Sequence, residues 1–366
     1  MNKTILFGLI LFMAVIAIVT FFKIKDNRTE LEKAWHRQPV EQIETERFWK
    51  EVTFEKIAVV EEGLQRPLSV RPYKDHSFLL SDFGDMIVKK YGYDGELMAH
   101  FGKGEGRGPG EMLGLMDIQV DSDNQIWVLD PANSRITVFD SPNQWIILDV
   151  EKPLSRAIPL NSNHYLVKLR FSDNPEKWNR AGQKVMKYEP LVKDPLLWSY
   201  IHDGFLEKDL SGGVVRNFLY FHGFIRYNSE GEIDYFRRAI GPPTMEEIMD
   251  DIDEPRRYSE DQEVFFREMS PFSRLPWFSN IQVYGNDIHA LLSFATDEVQ
   301  MSLPEGDIYA RERRFVDVYN LTSGDYRYSY KLPEPVIDIA ISGEYVAGIT
   351  SDVPGVVIWR VEPGSW

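Results

Sequence analysis

The stretch that decides the fold runs from Phe101 to Asp140, FGKGEGRGPGEMLGLMDIQVDSDNQIWVLDPANSRITVFD. It opens with a glycine-rich crossing that suits neither a helix nor a strand, because glycine weakens the interior of both. Three short runs of β type follow. Asp117 to Val120 leads into Asp121-Ser122-Asp123-Asn124, whose short side chains bond the local backbone and tolerate tight turns. Ile126 to Leu129 is apolar and β-branched or aromatic, as a strand interior prefers. A second turn, Asp130 to Ser134, returns the chain into Arg135 to Phe139. Strand, turn, strand, turn, strand is the cadence of an antiparallel meander.

The residues of this meander also carry a family resemblance. Gly104, Gly106, Gly108, Pro109, Gly110 and Glu111 form the crossing; Ile118, Val120, Asp121, Ile126, Trp127, Val128 and Asp130 form a hairpin; Asn133, Arg135, Ile136, Val138 and Phe139 complete it. The pattern resembles one blade of a bacterial NHL-type β-propeller. As motif the resemblance covers about one blade, and as architecture most of the chain. It implies a ring of short antiparallel sheets.

Self-similarity away from this blade supports a ring, since recurrence at intervals is the signature of a repeat architecture. Tyr91-Gly-Tyr-Asp-Gly95-Glu, Tyr227-Asn-Ser-Glu-Gly231-Glu and Tyr319-Asn-Leu-Thr-Ser-Gly324-Asp share one design. In each a strand ends on Tyr, a turn places Gly where positive φ is needed, and an acidic residue precedes the next strand. Leu80-Ser-Asp82, Val128-Leu-Asp130 and Thr350-Ser-Asp352 form a second echo, a strand ending in Asp before a turn. Turn capping by the carboxylate is the reading these aspartates favour, ahead of metal binding, because equivalent positions on different blades need not converge.

The repeats divide the chain into six blades near 66–101, 115–150, 151–198, 200–241, 275–332 and 333–361. The last offers only three strands, and Val52 to Val60 is expected to supply its fourth, closing the circle and removing exposed sheet edges. The expected fold is all-β, a six-bladed propeller over residues 47–366 with a helical insertion at 242–270, between blades four and five. Thr244 followed by Glu247 as a capping box signals that insertion.

Ile5 to Phe22 is an uninterrupted uncharged run between Lys3 and Lys23. At about 1.5 Å per residue it just spans a hydrocarbon core. The bulky end of the run, Val19-Thr20-Phe21-Phe22, does not suit signal cleavage, so residues 1–25 are read as a single-pass transmembrane anchor or uncleaved signal. Charged residues 26–46 read as a juxtamembrane stalk. The positive-inside rule would keep the domain cytoplasmic; the resemblance to exported bacterial propellers implies the periplasmic side, and that orientation is taken.

A net charge of −16 argues against a nucleic-acid partner, and the absence of cysteine excludes disulfides and thiolate chemistry. The crossing holds no G-x-x-x-x-G-K-[ST], and among His36, His76, His100, His164, His202, His222 and His289 there is no H-x-x-x-H pair. No cofactor, metal ligand or catalytic residue is therefore assigned. Charged groups in two otherwise apolar strands stand out: Lys168 and Arg170, then His222 and Arg226. Structural ion pairing is the ordinary reason for such groups. Their functional reading is an anion-binding patch at the channel mouth formed by Arg170, His222 and Arg226. The expected activity is that of a membrane-tethered binding or scaffolding module for a protein or small-molecule ligand, not an enzyme. The alternative is a metal-dependent lyase or lactonase with its site in the propeller channel, where ligands from separate blades would leave no local motif.

Overall fold

The computed structural model describes residues 36–169, 174–191, 204–218, 221–240, 278–292, 314–350, 353–362 and 364–365. The apolar run 5–22 and the insertion 242–270 lie outside them. Among the described residues no helix is long and apolar enough to cross a membrane.

The described chain is a six-bladed β-propeller of four-stranded antiparallel sheets. After strand β1 (Phe54–Val60), blade one consists of β2 (Pro67–Tyr73), β3 (Ser77–Asp82), β4 (Ile87–Gly92) and β5 (Leu97–Phe101). Blade two is β6 (Asp117–Val120), β7 (Ile126–Asp130), β8 (Arg135–Ser141) and β9 (Gln144–Asp149). Blade three is β10 (Leu154–Pro159), β11 (His164–Leu169), β12 (Glu176–Asn179) and β13 (Lys184–Lys187). Blade four is β14 (Leu206–Lys208), β15 (Val214–Asn217), β16 (Gly223–Tyr227) and β17 (Ile233–Arg238). Blade five is β18 (Phe278–Tyr284), β19 (Asp287–Leu292), β20 (Phe315–Asn320) and β21 (Tyr326–Lys331). Blade six is β22 (Val336–Ser342), β23 (Tyr345–Thr350) and β24 (Val356–Val361), with β1 as its outermost strand.

The ring closes as expected: β1 pairs antiparallel with β24 from Phe54↔Val361 to Val60↔Val356. The inner strands touch in the cycle β2, β6, β10, β14, β18, β22 and back to β2. Six apolar clusters fill the six gaps between blades, which is why both faces of each sheet are apolar. Packed sheets replace a single central core, so burial is distributed around the circle.

The blade-two motif has a structural explanation. The Asp130 carboxylate accepts the Gly114 amide at 2.9 Å and the Asn133 side-chain amide at 2.6 Å. Asn133 also donates to Gly106 O, and the Arg135 guanidinium donates to Arg107 O at 3.1 Å and Gly108 O at 3.0 Å. Asn and Arg of the motif thus hold down the glycine-rich crossing that precedes their own blade. Asp82 does the same in blade one, accepting from the amides of Gln65 and Arg66 and from Lys89. Burial opposes its ionisation, yet these donors hold its pKa below the ordinary value. The third aspartate of the echo, Asp352, lies outside the described residues.

The hairpin glycines act as expected. Gly231 has φ +76°, and a Cβ there would stand 2.7 Å from the Tyr188 ring of the preceding blade. A bare turn lets one blade's outer hairpin lie against its neighbour.

The described part of the stretch read as a stalk, from His36 onward, is bound to the ring. Val40 bridges in parallel to Arg237 on β17, and Trp49 to Ser329 on β21, before the chain enters β1. His36 to Lys50 is therefore a belt around the outer edges of blades four and five.

Candidate functional site

Strand order divides the ring into two unlike faces. The connections between first and second strands and between third and fourth strands all open on one face, and none of them exceeds five residues. The connections between second and third strands and the crossings to the next blade open on the other. Those include residues 239–277 between β17 and β18, 293–314 between β19 and β20, and 188–205 between β13 and β14. The strand ends that flank every connection longer than five residues lie at this crossing face, and the longest such stretches fall in blades three to five. Chain length is thus concentrated where a propeller can carry recognition without disturbing its sheets.

Between the faces, the axis is filled by polar side chains from the inner strands. Arg71, on β2 of blade one, is buried and bonds outward in three directions. Its guanidinium donates to Asp117 Oδ1 of blade two at 3.0 Å and Asp338 Oδ2 of blade six at 3.2 Å. Across the ring, Glu207 Oε1 of blade four stands 3.7 Å from Arg71 Nε, an ion pair beyond hydrogen-bond reach. Asp117 also accepts from Ser69 Oγ and the Ile118 amide, and Asp338 from the Val70 and Ile339 amides. Asn280 of blade five reaches Asp338 and Ile339 O, and Gln282 exchanges two bonds with the Ile341 backbone. Lys208 crosses from blade four to Val120 O of blade two at 3.0 Å. This hub ties together five of the six blades.

The hub is richer in carboxylate than in cation, and its electrostatics follow. Burial pushes the Glu207 carboxyl up to about 7, against the pull of Arg71, with Asp117 and Asp338 adding to the rise. Burial likewise lifts Asp338 to about 6. Burial works to lower the Arg71 pKa, but the three carboxylates outweigh it and hold the guanidinium charged. Burial depresses Lys208. Among the described residues no three His, Asp or Glu side chains converge to hold a metal ion.

The residues nominated from sequence are not brought together. His222 lies on the crossing face just before β16 and is buried. Burial, then the Arg47 and Arg238 charges, hold its pKa well below the ordinary value, so it is neutral. Arg226 lies toward the opposite end of β16, where it pairs with Asp209 of a short hairpin at 2.7 Å and with Asp234. Arg170 lies outside the described residues. Lys168 is buried and donates to Leu169 O at 3.0 Å.

Sequence reasoning missed the hub because its members are scattered. One signal was available: a polar residue followed by Ile near the start of an inner strand, in Asp117-Ile118, Asn280-Ile281 and Asp338-Ile339. That recurrence marks positions where an apolar strand turns a polar group to the axis.

No protein-family model matches the chain, and no curated protein matches it. Solved structures share its architecture. A Bacteroides fragilis protein described as exported superposes with a TM-score of 0.53 at 10% identity, covering 88% of this chain and 98% of that one. The WD40 repeats of RRP9 give 0.50 at 9% identity, covering 85% and 100%. Virginiamycin B lyase from Staphylococcus aureus gives 0.48 at 10% identity, covering 85% and 99%. At such identities the likeness to the first two is one of fold.

Proposed function

We propose that this chain is a binding or scaffolding module: a six-bladed ring, tethered by residues 5–22 as a single-pass anchor on the exported, periplasmic side, that engages its ligand through the crossing face. The observation that carries this reading is the asymmetry of the two faces: one holds only hairpins of at most five residues, and the strand ends that flank the long stretches 188–205, 239–277 and 293–314 all lie at the other. A rigid ring with short hairpins on one side and long segments on the other is a platform for recognition.

The lyase or lactonase reading needs axial oxygens free to face a divalent ion. In this ring the oxygens of Asp117 and Asp338 are held by Arg71 and by backbone amides. An ion seated there would strip a buried guanidinium of its partners, a loss of roughly 3–5 kcal/mol. The test is elemental analysis of the full-length protein purified in detergent, with thermal unfolding before and after EDTA. The module reading expects less than a tenth of an equivalent, roughly, of any divalent metal and an unchanged midpoint. A near-stoichiometric zinc or calcium ion whose removal lowers the midpoint would replace it with the enzyme.

A further inference from the structure

The belt is fastened to the ring yet exposes several large apolar side chains. Two of its polar side chains reach the ring: Arg47 reaches the buried carboxylate of Asp317, and Gln42 donates to Arg238 O and Gly324 O. Four of its apolar side chains are exposed: Ile43 at 84%, Phe48 at 66%, Val40, and Trp49, whose ring also meets Phe315 edge-on. The backbone that presents them is fixed. Val40 N donates to Phe236 O, Ser329 N to Phe48 O, and Lys50 N to Ser329 O, all between 2.8 and 2.9 Å. Single exposed apolar residues are ordinary on a protein surface, but four on one short anchored segment form a ridge.

We infer that this ridge, centred on Ile43, Phe48 and Trp49, seats in the interfacial layer of a lipid bilayer and lays the ring on its side against the membrane. The inference rests on reading residues 5–22 as a membrane anchor. Only residues 23–35 separate that run from His36. Thirteen residues at full extension reach about 45 Å, so the tether holds the start of the belt within that distance of the lipid. Aromatic and branched aliphatic side chains are the ones that partition at the headgroup boundary. Charge does not draw the ridge there. Glu41, Glu44 and Glu46 lie beside it, and the chain carries a net charge of −16. The surface that fits is accordingly zwitterionic, held by apolar insertion and not by attraction to anionic headgroups.

Laid down in this way, the ring would hold its axis along the membrane plane and leave the crossing face open at its side. A ligand would then approach parallel to the bilayer.

The chain contains no cysteine, so single-cysteine variants of the full-length protein report one position each. Ile43→Cys, Phe48→Cys, Leu11→Cys and Leu210→Cys are labelled with an environment-sensitive dye and reconstituted into phosphatidylcholine vesicles with or without nitroxide-labelled lipid. Leu210 is almost fully exposed in a hairpin of blade four and serves as the dry-land control. The labels at Ile43 and Phe48 are expected to blue-shift and to lose about half or more of their emission to the nitroxide, while the label at Leu210 keeps its own. Quenching at Ile43 and Phe48 no greater than at Leu210 would overturn the inference. The label at Leu11 reads the anchor separately: if it alone is quenched the tether stands and the docked ridge does not, and if it is not quenched the tether itself fails. Both ridge positions are exposed, so neither substitution touches the packing between blades.

Discussion

Two arginines, half-buried Arg47 and buried Arg71, hold the ring together in different ways. Arg47 of the belt meets one carboxylate, its Nε and Nη2 each 3.0 Å from an oxygen of Asp317, with Ile240 O taking a further bond. Arg71 on the axis faces three, Asp117, Asp338 and Glu207. The belt pair is a neutral unit in fork geometry, the arrangement in which a guanidinium binds a carboxylate best. The hub carries surplus negative charge that Lys208 only partly offsets. Burial comes first in lifting Glu207 and Asp338, and the neighbouring carboxylates add to it, so the hub titrates near neutrality.

The sharpest way to break that comparison is Arg71→Met. At pH 8 it leaves three buried carboxylates without their guanidinium, and a loss of roughly 3–5 kcal/mol is expected by urea unfolding. At pH 5 Glu207 and Asp338, raised to about 7 and about 6, already bind protons in the folded ring, so the loss should shrink. Equal losses at both pH values would mean that the hub is not carboxylate-rich in the way described.

Arg47→Met should also be costly, about 3 kcal/mol, because the buried charge of Asp317 then loses its cation and keeps only the hydroxyls of Ser329 and Tyr319. Its effect differs in place. The amides of Val40 and Lys50, bonded to Phe236 and Ser329, should exchange faster while strand amides such as that of Val128 do not. Faster exchange throughout the ring would show that the belt is part of the closure and not fastened over it.

Glu207→Gln works in the opposite direction. The folded ring holds the Glu207 proton up to about 7, against an ordinary value of 4.5, so the folded state binds that proton more tightly than the unfolded chain. Stability from this group therefore falls as pH rises from the ordinary value through about 7. The neutral variant escapes the penalty, and at pH 8 should be more stable than the parent by roughly 2–3 kcal/mol, with a flatter pH dependence between the two values. A variant that loses stability at pH 8 would show that the ion pair with Arg71 outweighs burial.

The same contrast explains what could be read from sequence. Blade two was legible because its reporters act locally: Asp121 caps its own turn by accepting from the amides of Asp123 and Gln125, and Asp130 ends a strand and holds the crossing before it. Ring closure was legible because blade six lacked a strand and Val52 to Val60 had the pattern to supply one, as β1 does. The hub was not, since Arg71 meets partners 46 and 267 residues away, and no local spacing encodes that. His222 and Arg226 misled for a related reason. Charges four positions apart on one strand look like a patch, yet they belong to opposite ends of the blade, one buried near Arg238 and the other serving Asp209. The first part of the belt, up to Glu46, was read as a stalk because residues 26–46 are charged, whereas Gln42 within it is bonded to the ring.

Tyr326→Phe gives the smallest effect and separates fastening from charge. The Tyr326 hydroxyl accepts from the Phe48 amide at 2.9 Å and shares a bond with Ser329 Oγ at 2.8 Å, while Ser329 Oγ donates to Asp317. Losing it removes a hydrogen bond from the belt and one link behind the latch while leaving both charges in place. A loss of about 1 kcal/mol is expected, confined to faster exchange at Phe48. If this neutral change loosens the belt as much as Arg47→Met does, the hydroxyl chain fastens the belt and the ion pair merely accompanies it. If it does little, the guanidinium is the clasp, and the belt is fastened chiefly by its balanced ion pair.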